Sequence, residues 1–315
     1  MASQVRTSIV IASRDRADEL KDCIRSISEA ISAADEIIVV DSASADRKAV
    51  SQVAISSGAR LIRTETPGSA AARNLGIQQA RGEFIAFTDD DARVDKDWLN
   101  RALQRFSDST VAAVVGPVLE FGPSPSLVIS FAEFDAAHDE VRFNRKRRDW
   151  FARIRYGAIG CGANLVVRRS AFTEHGLFRE SLGKGAPIVG DETYFLLTLV
   201  ERGATVVNEP AARVFHPRQS VARILELRRS AIAYFLYVAI TRPQLWPRIA
   251  TRFITKHLAQ GLAPGSTGQS SSDLLKSLIL APAMLIAAFR IDRAAMGNRC
   301  EPGIRYIEQE KSTTI

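Results

Sequence analysis

Two rhythms alternate along the first half of the chain. Short continuous apolar runs at 8–12 (SIVIA), 36–41 (EIIVVD), 59–63 (ARLIR), 83–88 (EFIAFT) and 111–115 (VAAVV) read as strands. Between them, apolar residues return every third or fourth position. Leu20, Ile24, Ile27 and Ile31 form one such stripe, Trp98, Leu99, Leu103 and Phe106 another, and 70–80 is rich in helix formers. Strands without polar alternation are buried on both faces. The pattern therefore predicts an α/β fold: a mostly parallel sheet flanked by helices.

The middle is less regular. Residues 117–125 read as loop, 163–167 as a strand, 191–200 as a helix and 204–207 as a strand. Residues 142–169 are strongly basic around Arg145-Lys146-Arg147-Arg148. After 219 the texture changes. A long helix is expected over 224–240, broken by Pro243 and Pro247 and resumed at 248–258. A Gly/Ser-rich linker at 261–272 precedes a final apolar helix at 274–290 and a polar tail from Asn298. This divides the chain into a first unit, 1–218, and a helical C-terminal extension, 219–315. No repeat of solenoid period occurs.

With 46% apolar and 24% charged residues, the 315-residue chain has a globular composition, not that of a disordered, collagen-like or multi-span chain. A net charge of +7 favours an anionic partner: nucleotide phosphates, nucleic acid or an anionic membrane face. Cys23, Cys161 and Cys300 are too few and too scattered for a disulfide framework or zinc knuckle, which fits a reducing compartment. The start of the chain lacks the apolar core of a signal peptide. The apolar stretch 278–289, interrupted by Pro282, is shorter than the roughly 18–20 residues that span a bilayer. The expectation is a cytoplasmic protein, peripheral on the inner face of the membrane where it touches one.

Candidate chemistry gathers at strand ends, where parallel sheets carry their ligand sites. Asp89-Asp90-Asp91 follows the fourth strand directly. Three adjacent carboxylates repel one another, and a divalent cation relieves that cost; a helix-capping acidic loop is the plainer alternative. Asp41-Ser42 ends the second strand and suits a base or ribose, or a helix N-cap. In 67–74 (PGSAAARN) the small residues permit close backbone approach, and Arg73 could meet phosphate or simply face solvent. Asp191-Glu192 opens a helix after Gly190. It could supply a general base or merely favour the helix dipole. His216 could ligate a metal or be an ordinary loop histidine. No Walker-type phosphate loop, HExxH or CxxC occurs, and Gly160-Cys161-Gly162 is only a partial dinucleotide fingerprint.

Six stretches in order, from about Thr7 to His216, resemble the family 2 glycosyltransferases of GT-A fold. They are the turn Ser13-Arg14-Asp15-Arg16, VVDSASAD at 39–46, SAAARNLGI at 69–77, GEFIAFTDDDARVDKDWL at 82–99, GANLVVRRSAF at 162–172 and GDETYFLLTLVERG at 190–203. The resemblance implies inverting transfer from a nucleoside diphosphate sugar donor to a glycan or lipid-linked acceptor, with Mg2+ or Mn2+. It assigns Asp89, Asp91 and His216 to the metal, with Asp90 filling the middle of a DxD motif. Ala12, Ser13, Arg14, Asp41, Ser42 and Arg73, with Asp89 and Asp90, would contact the donor. The family's acidic pair is usually Glu-Asp, its second member the base. Here the order is reversed, so Asp191 and Glu192 both stand as candidates.

Three rivals are weaker. A sugar nucleotidyltransferase would carry a glycine-rich basic loop after its first strand, and 11–15 (IASRD) is not one. A nucleic-acid-binding protein fits the net charge but not a carboxylate triad, so no nucleic acid is expected. A non-catalytic phosphate binder leaves the acidic motifs without a task. The extension is harder to place. Residues 221–262 hold seven Lys/Arg and one acid, Glu226, interleaved with aromatics. Such a segment lies on an anionic membrane surface or packs on the first unit with a solvated basic face.

Overall fold

The computed structural model describes residues 6–33, 35–122, 137–146, 159–218, 221–247 and 271–297. Several sequence expectations lie outside the described residues: Arg147-Arg148 of the basic cluster, the resumed helix at 248–258, the tail from Asn298, and 261–270 of the expected 261–272 linker, whose last two residues, Ser271 and Ser272, instead open the final helix.

The alternation of runs becomes β1 (Thr7–Ser13), α1 (Ala17–Ala30), β2 (Asp35–Ser42), α2 (Arg47–Ser56), β3 (Arg60–Thr64), α3 (Ser69–Gln79) and β4 (Phe84–Asp89). Then come β5 (Arg93–Val94), α4 (Trp98–Gln104), β6 (Val111–Val115), β7 (Val118–Glu120), β8 (Val141–Phe143), β9 (Leu165–Arg168) and α5 (Arg169–His175). The chain continues through α6 (Asp191–Glu201), β10 (Thr205–Asn208), β11 (Val214–His216), α7 (Val221–Thr241) and α8 (Ser271–Gly297).

The main sheet runs β3-β2-β1-β4-β9-β6-β10-β8. Its β3-β2-β1-β4 portion is parallel, as is β6-β10, whereas β9 runs against both β4 and β6, and β8 runs against β10. Alternate residues of each apolar run serve opposite faces. Val10, Ile38, Ile85 and Phe87 join one core layer with α3, α6 and the C-terminal helices. Ile9, Ile11, Val39 and Ala86 join the other with α1, α2 and α4. Burial on both sides explains why the strands read as unbroken apolar runs.

One expectation differs. The stretch expected as loop contains β7, which pairs with β11 in a small second sheet, β5-β11-β7. Three residues are too few for alternation to register in the sequence, and long-range pairing with β11 makes the strand. Helix α7 buries Tyr234 and Tyr237 in the same core layer as β10 and α6. The Tyr194 hydroxyl donates to Thr241 Oγ1 at 3.1 Å. Helix α8 packs along α7, where Tyr237 and Phe289 stack at 5.2 Å.

Candidate active site

Strand register builds the floor. β2 and β4 flank β1, so loops leaving their carboxyl ends diverge and open a crevice there. Ser13 is level with Asp41, and Ala12 with Asp89. The loops after β1 and β2 are stapled together: Asp15 N–H donates to Ser44 Oγ (2.9 Å), and Ala45 N–H to Asp15 Oδ1 (2.7 Å). Asp15 and Ala43 hold positive φ angles of 55° and 58°. Non-glycine residues keep that conformation only when their surroundings fix it, as functional loops do.

Asp41 is buried, salt-bridged to Arg63, and accepts the Ser44 N–H at 2.9 Å. The cap of α2 is instead Asp46, which accepts from Ala49 N–H at 3.0 Å. Ser42 Oγ accepts from Gly68 N–H at 3.1 Å, joining β2 to the start of α3.

The aspartate run turns out of β4 with three different environments. Asp90 points inward, accepts from Ser13 Oγ at 2.8 Å and meets Arg16 at 3.2 Å. Burial, then the neighbouring Asp91 and Asp89, raise it to about 6 against the pull of Ser13 and Arg16. Asp91 pairs with Arg16 on one oxygen. Its other oxygen, Oδ1, is buried without a hydrogen-bond partner, and His216 Nε2 stands 3.1 Å away. His216 arrives because β11 pairs with β5, aligning Val214 with Val94 just past the aspartates. Asp89 Oδ2 lies 3.6 Å from the same nitrogen. Burial would lower the His216 imidazole, but Asp89 and Asp91 raise it to about 10.

Asp89, Asp91 and His216 offer ligand atoms that all lie within 4.8 Å of one another. The Asp91 oxygen that Arg16 does not take faces His216, so a cation placed there would meet both groups together with Asp89. His216 Nδ1 faces the Pro217 carbonyl at 2.7 Å, and a metal-ligating imidazole usually donates its second N–H to such a group. The donor set fits a divalent ion.

Behind this trio sits Arg73, on α3. Its guanidinium donates to Asp191 Oδ2 (3.0 Å), Glu192 Oε1 (2.9 Å) and Asp89 Oδ1 (3.2 Å). One buried cation thus joins the metal-type cluster to the acidic pair opening α6. The pair divides its labour by depth. Asp191 is almost fully buried, and burial, then the Glu192 charge, push its carboxyl well up. Glu192 keeps 18% of its side chain exposed. Burial pulls it upward too, but the charge of Arg73 and a hydrogen bond from Asp191 hold it below the usual carboxylate range. Of the two, Glu192 is the less buried and the one held ionised. Cys161 lies close by, and burial pushes its thiol up to about 12, so it stays a thiol at neutral pH.

Of the residues singled out from sequence, Asp89, Asp91, His216, Arg73, Asp191 and Glu192 form one continuous charged cluster, with Asp90 and Ser13 beneath it. Ala12, Asp41 and Ser42 line the adjoining strand ends. Arg14 stands apart, exposed and 3.5 Å from Asp15. The partners of Arg73 are carboxylates. Three contributors were not among the candidate site residues, although Arg16 and Gly162 lie in stretches that carry the family resemblance. Arg16 bridges Asp90 and Asp91. Gly162 packs so closely that a Cβ there would sit 2.4 Å from Arg73 Nη2. Lys184 clamps its backbone to Ser69, donating N–H to Oγ (2.9 Å) and accepting the Ser69 N–H (3.1 Å).

The model of one family, described as glycosyl transferase family 2, matches residues 8–176. The succinoglycan biosynthesis protein ExoM of Rhizobium meliloti (strain 1021) is 31% identical over 153 residues, 46% of this chain and 43% of that protein. The pre-mycofactocin glycosyltransferase of Mycobacterium tuberculosis (strain ATCC 25618 / H37Rv) is 28% identical over 156 residues, 50% of this chain and 31% of that protein. The chain thus spans less than half the length of these relatives. Among solved structures, the mannosyltransferase PcManGT from Pyrobaculum calidifontis, in complex with GDP-Man and Mn2+, superposes with a TM-score of 0.57 at 19% identity, covering 93% of this chain and 86% of that one. S. aureus TarS 1-349 in complex with UDP-GlcNAc gives 0.59 at 14% identity, covering 91% and 83%. These likenesses show a GT-A type fold.

Proposed function

The chain belongs to glycosyl transferase family 2, and we propose that it moves a sugar from a nucleoside diphosphate sugar to an acceptor hydroxyl, with inversion and with Mg2+ or Mn2+. The observation that carries this is the continuous cluster of Asp89, Asp91 and His216 with Arg73 and Glu192 at the strand ends. The GDP-Man and Mn2+ bound by PcManGT and the UDP-GlcNAc bound by TarS support a nucleotide sugar and a metal. The role of ExoM in making succinoglycan supports a cell-envelope or extracellular polysaccharide, or a glycolipid precursor, as the product class.

Asp89, Asp91 and His216 would hold the cation, which when bound neutralises the leaving diphosphate. An imidazole among carboxylates suits Mn2+ better than Mg2+. Ser13, Asp41 and Ser42 border the crevice where the base and ribose would lie. Glu192 is the base. An acceptor hydroxyl oxygen attacks the anomeric carbon, its proton passes to Glu192, and the bond to the diphosphate oxygen breaks. Arg73 keeps Glu192 ionised and aimed, Asp191 shares the same guanidinium nitrogen, and Asp89 holds the other one. No protein nucleophile is needed for a single displacement. Residues 1–218 would form the catalytic unit and 219–315 its helical extension, working in the cytoplasm.

Thermal shift against UDP, GDP, dTDP and CDP, each with and without Mn2+, tests the reading. Stabilisation by one diphosphate only in the presence of metal supports it and names the donor base. Equal shifts with and without metal would remove the cation from the proposal, and no shift with any would remove the nucleotide.

A further inference from the structure

Helix α8 is packed with its small and polar side inward. The face turned to the protein carries Ser277, Ala281, Ala288 and Asp292, all buried, spaced four or more apart along one side. Asp292 has a reason to be there, since Tyr237 donates a short hydrogen bond to it at 2.5 Å and Arg179 lies 3.5 Å away. The large apolar residues point outward: Leu275 is 59% exposed, Ile279 67% and Ile286 56%. At 100° per residue these three fall within one narrow arc with Pro282 and Ala283, which are also exposed. The apolar strip from Leu275 to Ile286 runs roughly 17 Å along the helix.

The same arc ends in charge. Arg290 and Arg293 continue the line, Lys276 borders it, and all three are exposed. Between Leu275 and Ala295 the only carboxylate is Asp292, which is buried. Among the described residues the outward face is therefore apolar along three turns, cationic along the next two and free of exposed acid. No helix among the described residues is long and apolar enough to cross a membrane. We propose that this face of α8 lies flat on an anionic phospholipid bilayer, with Leu275, Ile279 and Ile286 entering the headgroup–acyl boundary and Lys276, Arg290 and Arg293 meeting lipid phosphates. Charge selects this occupant over a second copy of the chain, because the face carries three cations and, among the described residues, no exposed acid to pair with them. The inference is independent of the sugar-transfer reading.

Sedimentation of the full chain with vesicles tests it. In low salt the protein is expected to pellet with phosphatidylcholine vesicles containing one-third phosphatidylglycerol and to remain in the supernatant with pure phosphatidylcholine. Ile279→Glu is expected to lower the partition coefficient at least tenfold with an unchanged melting temperature, since the side chain is exposed. The double variant Arg290→Glu, Arg293→Glu should also lose binding. Failure of the wild type to bind anionic vesicles overturns the proposal. So does binding that survives both variants, or a dimer in analytical ultracentrifugation that Ile279→Glu dissociates, which would assign the face to a second copy.

Discussion

Replacing Gly162 by alanine tests whether the Arg73–Glu192 geometry matters to chemistry rather than to folding. A Cβ at 162 would lie 2.4 Å from Arg73 Nη2, 2.5 Å from Glu192 Oε1 and 2.7 Å from Arg73 Cζ. Ordinary contact begins at 3.4 Å, so both side chains fall about 1 Å short of the room they need. Neither yields easily. Arg73 is 8% exposed and committed to three carboxylates at 2.9–3.2 Å. A retreat of 1 Å stretches those contacts to about 4 Å, beyond hydrogen bonding. Overpacking of this kind costs about 1–3 kcal/mol of stability. Misplacing a catalytic group by 1 Å costs about 100-fold in rate.

The expected outcome is a folded protein, a few degrees less stable, whose kcat falls about 100-fold. Its metal-dependent stabilisation by nucleoside diphosphate should weaken but persist, because the nearest atoms to position 162 belong to Arg73 and Glu192, and among the metal-type residues Asp89 loses its Arg73 contact. The assay is nucleoside diphosphate release at saturating donor and acceptor, beside thermal melts. Gly82→Ala is the control. A Cβ there would strike Ser8 N at 2.6 Å and Thr7 C at 2.7 Å, equally crowded but at the opposite end of β4. It should lower stability while leaving turnover per folded molecule intact. Turnover of Gly162→Ala within twofold of wild type would refute the assignment of Glu192, aimed by Arg73, as the base.

Asp91→Asn should abolish the metal-dependent thermal shift while the melting temperature without ligand falls modestly, because the ion pairs to Arg16 and His216 weaken; an unaltered metal response would reject the ligand set. Glu192→Gln should eliminate turnover and spare donor binding, whereas Asp191→Asn should retain measurable turnover; the reverse ranking, read in the same release assay, would move the base to Asp191. Glu36 supplies a pH prediction away from the site. Burial would raise it, but Ser8 Oγ (2.7 Å), Arg81 N–H (2.9 Å) and Arg60 (2.8 Å) hold it below its unfolded value. Its stabilisation is therefore complete above the usual carboxylate range and is lost as pH falls through the folded-state value. Thermal melts from neutrality downward should show wild type losing more stability than Glu36→Gln over that window, and parallel curves would exclude the contribution.

Much of the sheet was legible because its strands are buried on both faces. The runs at 8–12, 36–41, 83–88 and 111–115 each reappear within a residue or two as β1, β2, β4 and β6. Order within the sheet was not. That β9 inserts antiparallel between β4 and β6, and that three-residue β7 pairs with β11, are long-range pairings with no local signature. Strand ends were the useful clue to the site, since a carboxylate straight after a buried run must leave the sheet at its carboxyl edge. Asp41, Asp89 and His216 were all visible that way.

Arg73 marks the limit of local reasoning. Seen on α3 alone, it is one arginine near a helix start, and solvent or phosphate are its natural partners. Its partners Asp191 and Glu192 lie 118 and 119 residues away. Once they converge, exposure to solvent falls, and the guanidinium charge, with a hydrogen bond from Asp191, keeps Glu192 ionised at that depth. Helix α8 poses the inverse case. Its apolar residues are compatible with packing and with a membrane alike, because hydropathy has no direction. Only the burial of Ser277, Ala281, Ala288 and Asp292 shows that the small side is spent on the protein. The leucines and isoleucines are left over, and the three exposed cations beside them are the reason an anionic surface is the proposed partner.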